Sequence, residues 1–203
     1  VLTLLDGGMD DHKINKLYLE RTERSINRLI SIVDDLESIS RLESGEFKLH
    51  MEKFNIIKLV EDIFEAQDMQ VKKFGIKLGF DSNYSKPIWV HADRKRIMEV
   101  LGNLIGNSVK YGKKNGKTTV SFVDTGDSIL VDVTDNGIGI AEEDLPRIFE
   151  RFYRVDKSRS RDSGGTGLGL SIVKHIIQAH NQTINVRSKL DKGTSFIFSL
   201  EKA

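Results

Sequence analysis

The run Ile97-Met98-Glu99-Val100-Leu101-Gly102-Asn103-Leu104-Ile105-Gly106-Asn107-Ser108-Val109-Lys110-Tyr111 carries two patterns at once. Met98, Leu101, Leu104, Ile105 and Val109 recur at helical spacing and mark a face for burial. Asn103, Asn107, Lys110 and Tyr111 stand three and four residues apart, so the same helix gives them a second stripe. Asp93 is a good N-cap, and the pattern predicts a helix from Arg94 to about Gly112. Asparagine is a weak helix former, so two of them stacked beside lysine and tyrosine need a reason. An amide carbonyl is a neutral oxygen ligand, suited to a magnesium ion that keeps several waters and binds phosphate oxygens. Lys110 would then meet phosphate as a point charge. A solvated polar face is the plain alternative, and the stripe alone does not separate the two.

Downstream, Asp135-Asn136-Gly137-Ile138-Gly139-Ile140 follows directly on a strand-like run, 129–134. Two glycines two apart allow a tight turn and close approach to backbone. A carboxylate at the strand end can accept a hydrogen bond from an amino group such as the one adenine carries at its six-position. Guanine has a carbonyl there and would be repelled. A plain aspartate–glycine turn fits the same residues. Glu150 to Gly165 holds Arg151, Arg154, Lys157, Arg159 and Arg161 ahead of Gly164-Gly165. Such a basic loop suits a cover over a polyphosphate, and equally an ordinary solvated loop. Gly165-Thr166-Gly167-Leu168-Gly169-Leu170-Ser171 opens a further helix, 167–179, whose first backbone amides make an anion site. It is neither a P-loop nor a dinucleotide fingerprint, because no Gly-Lys-Ser/Thr closes it and no third glycine stands at the required spacing.

The rest of the chain frames these elements. Residues 1–45 predict a long helix after the Asp6-Gly7-Gly8-Met9-Asp10-Asp11 turn. Its stripe of Ile14, Leu17, Ile26, Leu29, Ile30, Val33, Leu36, Ile39 and Leu42 needs a partner helix, because a lone helix of this kind is marginal in water. Ser44-Gly45 ends it. Strands are predicted at Phe47–Met51, 76–80, 88–90, 119–123, 129–133, 183–186 and 195–200, with one helix over 56–74. This mixed order describes an α+β domain: a sheet with helices on one face.

Composition narrows the field. The 203 residues carry a net charge of +1, which gives no reason to expect nucleic-acid binding. Cysteine is absent, which excludes a disulfide framework and suits a reducing compartment. No apolar run approaches the roughly 20 residues that span a bilayer, and Val1 to Leu5 is no signal peptide.

Taken in order, the asparagine helix, Asp-x-Gly-x-Gly, the basic loop and Gly-x-Gly-x-Gly-Leu resemble the catalytic domain of two-component sensor histidine kinases. These belong to the superfamily of gyrase, Hsp90 and MutL. The N box corresponds to Asn103–Tyr111, the first glycine box to Asp135–Ile140, the phenylalanine box to Ile148–Arg154, the second glycine box to Gly165–Leu170, and a closing element to Gly193–Phe196. The resemblance spans about residues 52–200 and implies a two-layer α/β sandwich of the Bergerat type over residues 47–203. Residues 1–46 resemble part of the dimerisation and histidine phosphotransfer hairpin, with Val1–Leu5 as the last turns of its first helix.

The resemblance implies ATP and Mg2+ as cofactors. Asn107 would hold the metal with Asn103 beside it. Lys110 would meet phosphate and Tyr111 would pack on the nucleotide. Asp135 would read adenine, aided by Thr194. Gly137 and Gly139 would shape the pocket, with Ile140 on its apolar wall. Arg154 and Lys157 would reach the terminal phosphate, and Phe149 and Phe152 would hold the base of the basic loop. Gly165, Thr166, Gly167, Leu168, Gly169 and Leu170 would cradle phosphates. The implied partners are a second copy of the chain, through the hairpin, and a response regulator. The implied compartment is the cytoplasm, with any membrane contact made by parts of a parent protein outside this chain. His12, His50, His91, His175 and His180 all lack the family's phosphoacceptor context, so the chain is expected to bind ATP without phosphorylating itself. Relatives that hydrolyse ATP place a glutamate base one turn before the metal asparagine. Here that position is Asn103, which cannot take a proton.

Overall fold

A computed structural model describes residues 12–43, 48–155 and 166–203. Val1–Leu5, the Asp6–Asp11 turn, Ser44-Gly45, Phe47, Lys157 and Gly165 lie outside the described residues. The elements run α1 (His12–Glu43), β1 (Met51–Asn55), α2 (Ile56–Ala66), α3 (Asp68–Phe74), β2 (Lys77–Phe80), β3 (Trp89–Asp93), α4 (Arg94–Lys110), β4 (Lys117–Asp124) and β5 (Ser128–Asp135). A 3-10 turn (Leu145–Arg147), α5 (Gly169–Ala179), β6 (Ile184–Lys189) and β7 (Gly193–Lys202) follow.

Local chemistry explains the element ends. Asn55 caps α2, its side-chain oxygen accepting the Ile57 N–H at 3.2 Å. Asp93 caps α4 by accepting the Arg96 N–H at 3.1 Å, and its second oxygen takes the His50 N–H at 3.0 Å. The helix expected over 56–74 is two helices. Gln67 sits at φ −91, ψ −3, and its N–H is shared between the Ile63 and Phe64 carbonyls. The split follows burial: α2 buries Ile56, Ile57, Leu59, Val60 and Ile63, whereas α3 buries none. The first strand starts at Met51, later than expected, with Leu49 ahead of it.

The sheet order is β1-β3-β7-β5-β4-β2. β7 pairs with β5 along one edge, and its other edge is divided between β6 at Gly193–Phe198 and β3 at Glu201 and Lys202. Among the described strands only the β2–β4 pair is parallel. One sheet face meets α2, α4 and α5 in a core that includes Val131, Val133, Phe198, Leu104, Ile105 and Ile172. Each such side chain contributes about 1.5–3 kcal/mol on burial. The opposite face is polar: the Asp132 carboxylate accepts the hydroxyls of Thr134 and Ser195, both at 2.7 Å. This is the expected two-layer α+β sandwich.

α1 leans on α5 through its C-terminal part, where Ile39 is 1% exposed and Ile32 joins the core margin. Leu19, Ile26, Leu29, Ile30, Val33 and Leu36 stay exposed on the same helix.

Candidate nucleotide-binding site

The C-terminal half of α4 presents Asn103, Asn107 and Lys110, all half-buried. Asn103 donates from its amide nitrogen to the Glu99 carbonyl at 3.0 Å, which turns its oxygen toward the start of α5. A Cβ added at Gly169 would lie 2.5 Å from that oxygen, so the two elements meet there without a side chain between them. Tyr111, just past the helix, is exposed, and the Lys110 ammonium stands 5.2 Å from its ring centroid. Burial, then the charges of Arg154 and Arg28, hold the Lys110 pKa below its ordinary value. Three cations from three parts of the chain thus gather at the end of α4. Arg28, on a charged face of α1, carries no sequence signal that sets it apart from its neighbours.

The Asp135 turn is fastened to the same end of α4. Ile138 N–H donates to the Tyr111 carbonyl at 3.1 Å, and a Cβ on Gly137 would lie 2.4 Å from that carbonyl oxygen. Asp135 accepts the Gly137 N–H at 2.7 Å, and the Thr194 N–H also bonds its carboxylate. Burial outweighs both bonds and raises its pKa above the usual carboxylate range. Gly139 faces backbone rather than a cavity, since a Cβ there would strike the Lys189 carbonyl at 2.1 Å. Ile140 is partly buried against the core, and its N–H donates to Ser188 Oγ at 2.8 Å. Ser188 Oγ also lies 2.9 Å from the hydroxyl of buried Thr194. It ties the glycine turn to the β6–β7 hairpin, a contact that strand periodicity does not announce.

The third element is the approach to α5. Gly167 takes φ +78, a left-handed conformation that favours glycine, and its carbonyl accepts the Phe152 N–H at 3.0 Å. The helix therefore starts at Gly169, two residues later than expected. Thr166 Oγ1 accepts the Leu168 N–H at 3.2 Å. Leu168 is fully buried and Leu170 packs against the core, so these two offer backbone, not side chains, at this end. Phe149 packs edge-on against Phe196 with centroids 6.3 Å apart, whereas Phe152 is 55% exposed. The elements that carry the sequence-predicted residues Asn103, Asn107, Lys110, Tyr111, Asp135, Gly137, Arg154, Gly167 and Gly169 thus meet one another, with Thr194 buried behind the Asp135 turn.

Among the described residues no group of three or more His, Asp or Glu side chains could hold a metal ion. An open cleft of about 610 Å³ between α2, α3 and β2, lined by Phe64, Val71 and Ile76 among others, contains none of the site residues. No helix among the described residues is long and apolar enough to cross a membrane.

Comparison with known proteins places the fold in a family. Residues 92–203 match the family described as histidine kinase-, DNA gyrase B- and HSP90-like ATPase. The chain is 36% identical over 202 residues to the sensor histidine kinase WalK of Bacillus subtilis, covering 97% of this chain and 32% of WalK. It resembles the solved catalytic domain of histidine kinase ThkA, with 30% identity, a TM-score of 0.65, and coverage of 76% of this chain and 97% of that one. Against ThkA in complex with response regulator protein TrrA the TM-score is 0.78 at 26% identity, covering 100% of this chain and 55% of that one. The chain belongs to the histidine kinase-, DNA gyrase B- and HSP90-like ATPase family and carries the ATP-binding catalytic domain found in sensor histidine kinases. It spans about a third of the length of WalK.

Proposed function

We propose that this chain binds Mg-ATP and transfers the γ-phosphoryl group to a histidine, for relay to an aspartate of a response regulator. The observation that carries this reading is the meeting of the α4 end, the Asp135 turn and the α5 start on one surface, with Lys110, Arg154 and Arg28 gathered there. Asp135 accepts the adenine amino group. Thr194 steadies that carboxylate through its N–H. Tyr111 packs on the nucleotide and Ile140 forms its apolar wall. Asn107, with Asn103 beside it, suits a magnesium ion, which when bound offsets phosphate charge. Lys110, Arg154 and Lys157 meet the phosphates, and the backbone from Gly165 to Leu170 cradles them. In the transfer a histidine nitrogen forms a bond to the γ-phosphorus as the bond to the bridging oxygen of ADP breaks; the cations offset the charge that moves onto that oxygen.

A hydrolytic cycle needs a base to activate water. Asn103 cannot serve, and the Glu99 carboxylate is engaged by Arg96 at 2.8 Å. That supports phosphotransfer over hydrolysis. Residues 47–203 form the catalytic domain in this reading and residues 1–46 part of a helical hairpin. The exposed apolar stripe of α1 is then covered by a second copy of the chain. ThkA, solved with TrrA, offers the precedent for the regulator as partner.

The test is labelled ATP supplied with a separate acceptor helix bearing a histidine. Label that is acid-labile and passes to a receiver domain supports the assignment. Steady phosphate release with no labelled protein identifies an ATPase instead.

A further inference from the structure

Thr166 joins two elements 131 residues apart in the chain. Its hydroxyl oxygen accepts the Leu168 N–H at 3.2 Å, closing a turn at the start of α5, and it stands 3.2 Å from Asp35 Oδ2 on α1. A hydroxyl has one proton and two lone pairs. With a lone pair committed to Leu168, the proton goes to the Asp35 carboxylate. Gly167, between the two ends of the turn, is clamped from the other side by Phe152. The geometry of this loop is therefore set by three groups, one of which belongs to α1.

Among the groups that act on the Asp35 carboxylate, the Thr166 hydroxyl is the one that favours its charged form. Burial, and more weakly Glu99 and Asp34, raise its pKa, while the Thr166 hydroxyl pulls it down. A carboxylate serving only helix packing gains nothing from such a place, whereas one that orients a hydroxyl needs to face it.

We propose that Asp35 is a positioning residue of the nucleotide site: its carboxylate orients the Thr166 hydroxyl, and through it the Leu168 amide and the first turn of α5. The docking of α1 then sets the shape of the loop that faces phosphate. By linkage, a ligand that orders the loop favours the docked helix. The role of the loop rests on the phosphate-cradle reading above; the hydrogen-bond relay itself does not.

Hydrogen exchange on the whole nucleotide-free chain tests the relay. Asp35→Ala and Thr166→Val each quicken exchange of the Leu168 amide by about fivefold, the equivalent of one ordinary hydrogen bond. Asp35→Asn and Thr166→Ser, which keep an acceptor and a hydroxyl, hold it near the parent rate. The Asp35→Ala/Thr166→Val double variant is no faster than the faster single one, because both break one relay. Amides of β5 and the middle of α4 do not change. Affinity for trinitrophenyl-ATP drops about fivefold in Asp35→Ala and returns in Asp35→Asn. Unchanged Leu168 exchange in Asp35→Ala, equal loss in Asp35→Asn, or additive single effects each overturn the proposal. If the parent chain binds no ATP analogue, the nucleotide assignment fails, and the exchange rates still decide the relay.

Discussion

Asn103 Oδ1 faces the backbone of Gly169 so closely that a Cβ there would lie 2.5 Å from it, too near unless the Asn103 side chain turned away. α4 and α5 thus bring an amide oxygen and a set of helix-start N–H groups to the same point. Gly169 is needed for that approach rather than for a turn.

Two glycine substitutions separate binding from folding. In Gly169→Ala the new methyl meets only the tip of the Asn103 side chain, which can rotate away. Thermal stability stays within about 1 kcal/mol of the parent, while ATP affinity measured by calorimetry falls at least tenfold. In Gly137→Ala the methyl meets the Tyr111 carbonyl at 2.4 Å, and backbone cannot step aside. That variant loses about 1–3 kcal/mol of stability in a denaturant titration. Equal stability losses in both contradict the distinction.

Asp135 makes nucleotide binding sensitive to acid. Its pKa is raised by burial, so its folded-state contribution to stability is fully present below the ordinary carboxylate value and is lost as pH rises through the folded value. At neutral pH the empty site bears a cost that the adenine amino group offsets. ATP affinity therefore drops as pH falls through the raised Asp135 pKa, before ordinary carboxylates protonate. Asp135→Ala removes binding and the acid limb together, with the circular dichroism spectrum unchanged. An acid limb that survives in Asp135→Ala belongs to another group.

Lys110 supplies an alkaline counterpart. Burial, Arg154 and Arg28 lower its pKa, so the charged form is disfavoured in the free protein. That cost to stability applies below the folded value and is relieved as pH rises toward the ordinary lysine value. Polyphosphate reverses the imbalance, so ATP binding takes up protons at alkaline pH. Calorimetry in two buffers of different ionisation enthalpy measures the uptake. Lys110→Met, which cannot titrate, binds ATP about tenfold or more weakly and shows no such uptake.

His180 holds the frame without touching the site. Its Nε2 accepts the Asp93 N–H at 3.0 Å, and its Nδ1 lies 2.8 Å from the Ile176 carbonyl, which places the proton of the neutral ring on Nδ1. Both ring and Asp93 are buried. His180→Leu strands the Asp93 N–H and costs about 1–3 kcal/mol. Nucleotide affinity at a temperature where the variant is folded matches the parent. A weakened Kd without loss of stability would place His180 in the site instead.

The exposed stripe of α1 predicts association. Leu29→Glu combined with Val33→Glu shifts the chain to the monomer in sedimentation velocity, whereas the parent sediments as a dimer. A monomeric parent chain at micromolar concentration removes that reading.

Much of this molecule is written in local chemistry. Asp93 caps α4, Thr125-Gly126-Asp127 turns β4 into β5, and the 3.6-residue apolar period of α4 leaves Asn103 and Asn107 on a polar stripe. Those signals act within a few residues, so they are legible without a fold, and the order of the glycine-rich stretches identified the family. Tertiary structure decided what involves distant partners. The break at Gln67 follows from which half of the segment meets the sheet, not from helix propensity. Leu168 looks like part of a ligand loop in sequence, but packing turns it into the core. Arg28, Asp35 and Ser188 are ordinary polar residues in a one-dimensional reading. Each gains its role only when α1, the β6–β7 hairpin and the glycine turns are brought within hydrogen-bond or Coulomb range by burial of the apolar faces around them.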